Sequence, residues 1–266
     1  MADAMRIDGR AAGALPADDR GLAYGDGIFR TIRVQAGLAL AWRFHYARLV
    51  HDCAALGLDA PPRELLEADM LALAGDEASG VLKIVITRGS GGRGYAPPRP
   101  ATPRRIVSLH YGLPAAPDAL ALPRCPVVLA TPSALPGVKH LNRLEQVLAR
   151  QYCERCNVSD AAMCDSSGRL ICTTMRNLIF VDGAGAWWTP HLKHAGVIGA
   201  TRERLRAAVP TLAECEIGQV RLNDFEGAIA CNSVSGAIAV TRIGDHAFDG
   251  SRSLAERANA LLADSV

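Results

Sequence analysis

The chain has 266 residues, with 29 Lys and Arg against 27 Asp and Glu, so its formal net charge is only +2. This near balance gives no electrostatic reason to expect nucleic acid as a partner. Apolar residues make up 49% of the chain, but no apolar run approaches the ~20 residues that a membrane helix needs. The composition therefore predicts a globular protein of one or two domains that does not act on a membrane.

The eight cysteines are scattered along the chain, which predicts reduced thiols and a cytoplasmic location. The first ten residues contain acids and an arginine but no apolar core, so no signal peptide is predicted. Cys153 and Cys156 form a C-x-x-C pair. Because no second pair or histidine cluster completes a zinc site, these two are interpreted as helix residues and no metal is predicted.

In the first part of the chain, apolar spacing and turn residues predict both strands and helices. The predicted elements are a strand, a turn at Gly37 and a strand within 21–42, helices over 43–58 and 61–78, and strands over 80–92 and 103–111. The last two strands flank a loop rich in glycine and proline, "RGSGGRGYAPPRPATP".

A proline- and alanine-rich segment, residues 112–123, has no clear period and predicts a linker. The elements predicted beyond it are a strand over 125–132, a helix over 142–156, hairpin strands within 160–174 and 177–190, a helix over 199–210, two short strands within 227–240 and a helix over 254–266. The sequence thus predicts an α+β protein with a smaller N-terminal domain (1–111), the linker and a larger C-terminal domain (124–266). A cleft between two such domains is a favoured place for a small-molecule site.

Lys139, in "LPGVKHLNRLEQVLAR", is one of only three lysines in a chain with 29 Lys and Arg. It follows a Pro136-Gly137 turn and precedes a predicted helix. A solvated lysine at a helix entry is one interpretation. The other is a Schiff-base lysine, a role that arginine cannot fill because its guanidinium stays protonated and is not nucleophilic.

Two segments have the composition of phosphate-binding turns. "GVIGATRERL" places Gly199, Ala200 and Thr201 at a helix start, where backbone N–H groups, the helix dipole and a hydroxyl favour an anion. "CNSVSG" offers Asn232 and Ser233 on a turn where the backbone can approach an anion closely. Together with Lys139, these segments indicate a phosphorylated aldehyde cofactor such as pyridoxal phosphate.

The sequence resembles the fold-type IV pyridoxal-phosphate enzymes over nearly its whole length. "DRGLAYGDGIFRTIRV" is similar to the opening strand motif of that family, and "HYARL" to its H-x-x-R-L helix motif. "LKIVITRGSGGRGY" and "VKHLNRLEQVLAR" resemble segments typical of the lyases that form 4-aminobenzoate. The resemblance implies two α/β domains with the cofactor in the cleft between them, and a homodimer in which part of the substrate pocket comes from the partner subunit. The glycine-rich loop is the candidate for this shared element, because loops of this length are commonly functional.

The resemblance also implies roles for individual residues. Lys139 is expected to bind pyridoxal 5′-phosphate as a Schiff base and then to carry the proton, while Arg48 of "HYARL" binds the phosphate. Cofactor contacts are further expected from Cys172, Val197, Ala200, Thr201, Asn232 and Ser233. The substrate side is expected to include Tyr24, Phe29, Thr31, Arg33, Arg93 and Asn142.

The implied reaction converts 4-amino-4-deoxychorismate to 4-aminobenzoate and pyruvate, a step of folate biosynthesis. One position departs from the family. Aligned on Asn177, Cys172 stands where the family has a glutamate that pairs with the pyridine nitrogen. Amino transfer needs that acid more than elimination does, so Cys172 disfavours the first alternative, a D-amino-acid or branched-chain aminotransferase. The second alternative is a non-catalytic cofactor-binding protein.

Overall fold

The computed structural model describes residues 4–11, 13–75, 78–131, 133–218 and 220–264. It has a mixed α+β fold, as predicted, and divides into two compact units. Unit 1 comprises Met1–Pro114 together with Val138–Asn142, and unit 2 comprises Ala115–Gly137 together with Arg143–Val266. None of the described helices has both the length and the apolar character needed to cross a membrane.

Unit 1 is built on a six-stranded antiparallel sheet in the order β2-β1-β6-β5-β3-β4. Its strands are β1 (Ala4–Ile7), β2 (Arg10–Ala11), β3 (Gly27–Gln35), β4 (Leu38–Ala39), β5 (Gly80–Thr87) and β6 (Arg104–Tyr111). Its helices are α1 (Arg20–Tyr24), α2 (Trp42–Ala55) and α3 (Arg63–Ala74). Helix α2 packs against β3, and α3 against β6 and β1.

Strand β3 alternates between a buried face and a half-exposed face, as a strand covered on one side should. Ile28, Ile32 and Val34 are buried with the helices, while Phe29, Thr31 and Arg33 lie on the other face. The strand turns back into β4 through Ala36 and Gly37, whose φ angles are 47° and 72°. Two successive positive φ values are what a tight two-residue hairpin needs, and the predicted turn at Gly37 is confirmed.

The predicted first strand is partly wrong, because residues 20–24 form helix α1. The Asp19 carboxylate accepts a hydrogen bond from the Gly21 N–H at 2.8 Å, which caps the helix start. Gly25 ends the helix with φ 66°, a conformation that glycine adopts at low cost. These local capping interactions outweigh the apolar pattern of "GLAY", and β3 begins only at Gly27.

Unit 2 contains a seven-stranded mixed sheet and a separate hairpin. The sheet order is β12-β11-β10-β13-β14-β15, with β7 parallel to β14, and β8 pairs with β9. Its strands are β7 (Ala119–Leu122), β8 (Ala162–Cys164), β9 (Leu170–Thr173), β10 (Asn177–Asp182), β11 (Trp187–Pro190), β12 (Ala213–Cys215), β13 (Phe225–Asn232), β14 (Gly236–Ile243) and β15 (His246–Ala247). Its helices are α4 (Leu144–Arg155), α5 (Ala200–Ala208) and α6 (Ser251–Asp264), with a 3-10 turn over Val220–Asp224.

Both faces of the unit 2 sheet are covered, because alternate residues of β10 enter different cores. Leu178 and Phe180 pack on one face with Phe225 and Phe248. Ile179 and Val181 pack on the other face, against α5 and α6, in a cluster that includes Leu205, Leu254 and Leu262. The continuous apolar run of β10 is explained by burial on both sides.

The structure differs from the predicted domain boundaries in two places. The end of the predicted linker, Ala119–Leu122, is strand β7 and pairs in parallel with β14. Lys139 lies in unit 1, although the sequence predicts it in the C-terminal domain, because residues 138–142 extend the sheet of unit 1. The predicted strand over 125–132 is wrong. Among the described residues 124–131, the strand pairing consists of isolated bridges at Arg124 and Leu129 to the β8 region, and Pro126 has no N–H to donate.

Candidate active site

The segment around Lys139 is held against the first residues of β3. The Phe29 N–H donates to the Lys139 carbonyl at 3.0 Å, and the Leu141 N–H donates to the Gly27 carbonyl at 2.9 Å. A Cβ atom on Gly27 would lie 2.4 Å from the Ile86 carbonyl oxygen, so glycine is required for this close packing of backbones. These contacts fix the backbone of Lys139 relative to a strand in the interior of unit 1.

The Lys139 amine lies over the aromatic ring of Phe29, with Nζ 4.2 Å from the ring centroid. Lys83, opposite Thr31 on β5, also points at this ring, with Nζ at 5.5 Å. Lys139 is half-buried and Lys83 is exposed. Both ammonium groups are within cation–π range of Phe29, so the half-exposed face of β3 carries two amines around one aromatic ring.

A buried carboxylate on α2, that of Asp52, contacts both Lys139 and Arg48. Its Oδ2 accepts the backbone N–H of Lys139 at 2.9 Å, and its Oδ1 accepts Arg48 Nη2 at 3.0 Å. Arg30 also donates to Oδ2. Burial and the charges of Arg48 and Arg30 lower the pKa of the neighbouring His51, because positive neighbours disfavour its charged form. Arg48 and the Lys139 backbone are thus held by one carboxylate.

The other predicted substrate residues of unit 1 lie on or near the same face. Thr31 and Arg33 follow Phe29 at alternate positions of β3. The Arg33 Nε atom is buried, and no hydrogen-bond partner for it lies within the described parts of the chain. Asn142 is exposed and donates from Nδ2 to the Gly25 carbonyl at 3.2 Å. Arg33 thus lies on the Phe29 face of β3, and its buried Nε donor is not satisfied by the described residues.

Tyr24 and Arg93 belong to a second neighbourhood, the start of the glycine-rich loop. The guanidinium of Arg20 donates to the carbonyls of Gly94 and Tyr95 at 3.1 and 2.9 Å and lies 4.9 Å from the ring centroid of Tyr24. Tyr24 and Tyr95 form an edge-to-face pair with centroids 5.4 Å apart. Arg93 is exposed within this loop, so the structure fixes the loop backbone and leaves the Arg93 side chain at the surface.

In unit 2, the predicted phosphate-binding segment begins at Gly199, the residue before α5. Within the described parts of the chain, no side chain caps this helix start. Asn177 holds it in place, since its Oδ1 accepts the Gly199 N–H at 3.1 Å and its Nδ2 donates to the Val197 carbonyl at 2.8 Å. A Cβ on Gly199 would lie 2.3 Å from Asn177 Oδ1. Together with the buried Thr201, this arrangement fits a phosphate group.

The second predicted phosphate segment is the turn between β13 and β14. The Asn232 side chain organises it, because Oδ1 accepts the N–H groups of Val234 and Ser235 at 3.0 and 2.9 Å and the Ser235 hydroxyl at 2.9 Å. Ser233 is half-buried within the turn. The turn is therefore ordered by its own side chain, and its role toward a phosphate remains a prediction.

Cys172 lies on β9 in a cluster of buried apolar side chains that includes Cys153 and Met163. Burial and the nearby charge of Asp160 raise the pKa of its thiol to about 12, so it is neutral at ordinary pH. Arg143, at the start of α4, is close enough to interact with Cys172, and burial lowers its pKa to about 10. The position thus carries a neutral thiol beside an arginine and no carboxylate of its own.

Four residues that organise these regions are not predicted from the sequence, namely Arg30, Asp52, Arg143 and Asn177. Asp52 follows Arg48 by four residues on a helix, a spacing that predicts an ion pair. Asn177 served only as an alignment point. The burial of Arg30 on a strand has no simple sequence signal, because its neighbours on that face are apolar. Among the described residues, there is no group of three or more His, Cys, Asp or Glu side chains that could hold a metal ion.

Comparisons with known proteins show which proteins this chain is similar to. The family described as Amino-transferase class IV matches residues 27–243. An aminodeoxychorismate lyase of Vibrio harveyi is 32% identical over 247 residues, which is 89% of this chain and 90% of that protein. The solved structure of 4-amino-4-deoxychorismate lyase from Pseudomonas aeruginosa is 35% identical, with a TM-score of 0.88 and coverage of 98% of this chain and 99% of that one. A hypothetical aminotransferase from Mycobacterium tuberculosis in its PLP-bound form shares the fold at 17% identity, with a TM-score of 0.81 and coverage of 99% and 100%.

Proposed function

The chain belongs to the Amino-transferase class IV family, and from this we propose that it is a pyridoxal 5′-phosphate-dependent lyase. It converts 4-amino-4-deoxychorismate to 4-aminobenzoate and pyruvate. The observation that carries the proposal is the nearly full-length similarity to two aminodeoxychorismate lyases, at 32% and 35% identity. The anchored Lys139 and the neutral thiol of Cys172 support it.

The proposed cofactor contacts are those that the resemblance to the family implies. Lys139 binds its aldehyde carbon, Arg48 and the start of α5 at Ala200 and Thr201 bind its phosphate, and Val197 packs on its ring. The turn at Asn232 and Ser233 adds further phosphate contacts. The uncapped start of α5 and the orientation of Gly199 by Asn177 support this assignment, because backbone N–H groups at a helix start favour an anion.

When bound, pyridoxal phosphate withdraws electrons from the carbon that bears the substrate amine. With the cofactor and substrate bound, Lys139 Nζ would serve as the base that takes the ring proton beside the substrate amine. The ring becomes aromatic as the enolpyruvyl group leaves. Lys139 Nζ returns its proton to this group, which becomes pyruvate. The half-buried position of Lys139 over Phe29 keeps the amine close to one aromatic surface throughout.

The two substrate carboxylates suit arginine, whose planar guanidinium can donate two parallel hydrogen bonds to a carboxylate. We assign one carboxylate to Arg33, whose buried Nε supports a ligand contact, and the other to Arg93 of the glycine-rich loop. Phe29, Thr31, Tyr24 and Asn142 complete the substrate side.

A D-amino-acid or branched-chain aminotransferase is the alternative, since the family includes such enzymes. Cys172 disfavours it, because a buried neutral thiol cannot keep the pyridine nitrogen protonated as a carboxylate does. A non-catalytic cofactor-binding protein is the third possibility. The lyase, the aminotransferase and the binding protein would give different results when the same preparation is assayed.

The test is incubation of the purified, cofactor-loaded protein with 4-amino-4-deoxychorismate, followed by measurement of 4-aminobenzoate and pyruvate. We expect both products in equal amounts, and neither with Lys139→Ala. Amino transfer to a keto acid without release of pyruvate would instead establish the aminotransferase. A visible absorbance band without any turnover would indicate a binding protein.

We further propose a cytoplasmic homodimer. Helix α4 supports the dimer, because three of its apolar residues at helical spacing, Leu144, Val147 and Leu148, are 69%, 50% and 44% exposed. The helix buries Ala149 and Cys153 instead, and an exposed apolar stripe of this kind is typical of a protein interface. Light scattering should give twice the chain mass, and a fully active monomer would contradict this proposal.

A further inference from the structure

Asp52 has a set of contacts that its place on α2 does not require. Its side chain is fully buried. Arg30 Nη2 and the backbone N–H of Lys139 donate to Oδ2, and Arg48 Nη2 and His51 Nδ1 lie within hydrogen-bond distance of Oδ1. One carboxylate thus joins a strand, a helix and the segment that contains Lys139.

The chemistry of these contacts requires a carboxylate. An ionised carboxylate only accepts hydrogen bonds and offers about four lone-pair directions, and both arginines and the Lys139 N–H can only donate. Arg30 also donates from Nη2 to the Arg48 carbonyl at 3.2 Å, so it links β3 to α2 at the same point. An amide side chain at position 52 would offer one acceptor oxygen and would turn an NH2 group toward other donors.

The two groups that Asp52 joins are the ones assigned to opposite ends of the cofactor. Lys139 binds its aldehyde, and Arg48 binds its phosphate. We propose that Asp52 is a positioning residue that sets the distance between the Lys139 backbone and the Arg48 guanidinium, and that Arg30 holds Asp52 in place. This inference rests on the proposed function for the roles of Lys139 and Arg48.

Unit 1 contains a matched carboxylate without this connection. Asp69 on α3 is 2% exposed and also binds two arginines, Arg6 at 3.0 Å and Arg105 at 2.7 Å. None of the hydrogen bonds described for Asp69 reaches residues 138–142. Asp69→Asn therefore imposes a similar loss of a buried ion pair on the same unit, and it leaves the Lys139 segment untouched.

The experiment compares Asp52→Asn with Asp69→Asn in two measurements. The first is hydrogen exchange, by mass spectrometry, of peptides covering residues 137–142 in the cofactor-free protein. The second is the dissociation constant of pyridoxal 5′-phosphate, from its visible absorbance. For Asp52→Asn we expect exchange of the 137–142 peptide to be at least tenfold faster and cofactor binding at least tenfold weaker. For Asp69→Asn both should stay within twofold of the wild type.

The double variant Arg30→Met with Asp52→Leu covers the case in which Asp52→Asn does not fold, because replacing a buried ion pair with apolar residues is often tolerated. It still removes the acceptor for Lys139 and Arg48, and the same two changes are expected.

If the Asp52 variants match Asp69→Asn in both measurements, Asp52 is an ordinary buried ion-pair residue and the inference is wrong. A wild type that binds cofactor without lyase turnover would refute the proposed function only. If the wild type binds no cofactor, hydrogen exchange of the 137–142 peptide decides the inference alone.

Discussion

Two lysines of unit 1 approach the same aromatic ring in different ways. Lys83 extends from the middle of the regular strand β5 and is exposed, with Nζ 5.5 Å from the Phe29 centroid. Lys139 lies on a short segment whose carbonyl bonds to β3 and whose N–H bonds to a buried carboxylate, and its Nζ is 4.2 Å from that centroid. The two amines are similarly placed. Of the two backbones, that of Lys139 has a contact that a regular strand would not supply, namely the hydrogen bond from its N–H to the Asp52 carboxylate.

The difference indicates what a covalent cofactor requires of its lysine. An amine near an aromatic surface is common, and a long side chain can reach it from many backbone positions. A lysine that must release a carbonyl group and then move protons at a fixed carbon needs a fixed backbone as well, because small displacements reduce rates strongly. By this criterion we propose Lys139 as the carrier, and Lys83 is a neighbour that shares its ring.

The largest effect expected is the loss of the cofactor linkage in Lys139→Ala. This variant should have neither the visible absorbance band of lysine-bound cofactor nor measurable turnover, whereas Lys83→Ala should keep the band and most of the turnover. Absorbance spectra and the 4-aminobenzoate assay measure both. A band that survives in Lys139→Ala and disappears in Lys83→Ala would reverse the comparison.

The variant Arg48→Ala tests whether the residue that shares Asp52 with Lys139 also binds the cofactor phosphate. Removing a charge-assisted phosphate contact costs on the order of 1.5–3 kcal/mol, so Arg48→Ala should weaken cofactor binding roughly ten- to a hundredfold. Arg43→Ala is the control, since Arg43 lies on the same helix and its guanidinium stacks on Phe44. Equal dissociation constants for the two variants, measured by equilibrium dialysis, would remove Arg48 from the phosphate site.

The smallest effect on the lyase is expected at Cys172, in unit 2. Cys172→Glu should raise amino transfer to a keto acid, because a carboxylate beside the ring nitrogen keeps it protonated. Lyase turnover, which depends on Lys139, should change comparatively little. The control is Cys172→Gln, in which glutamine is similar in size to glutamate but carries no charge. This variant should leave the transaminase rate low and the lyase rate unchanged. If Glu and Gln give the same transaminase rate, position 172 does not face the ring nitrogen.

The sequence predicted the regular elements of the fold well where one interaction dominates. The hairpin at Gly37, helix α2 and the two strands β13 and β14 follow from turn residues and apolar spacing. The predictions from the sequence were wrong where helix capping or a missing backbone N–H donor decides the secondary structure. Asp19 and Gly25 convert "GLAY" into a helix, and Pro126 interrupts a segment with the composition of a strand.

For the candidate site, sequence motifs single out Lys139, Arg48 and Thr201, and the roles of these residues stay predictions. The residues that hold these groups were not predicted, because their roles depend on contacts far apart in the sequence. Asp52 and Lys139 are separated by 87 positions, and Asn177 and Gly199 by 22. No local periodicity encodes such pairs. The exposed stripe of α4 shows the converse, since its spacing predicts the helix but not which face is buried.

Unit 1 is discontinuous, since residues 138–142 complete the edge of β3 after the chain has built the first strand of unit 2. During synthesis, the first 114 residues are therefore made before the piece that covers this edge. An open strand edge can pair with other chains, and nascent domains meet this hazard while the rest of the chain is still being made. An N-terminal fragment that ends near Pro114 should consequently be a poor choice for separate expression.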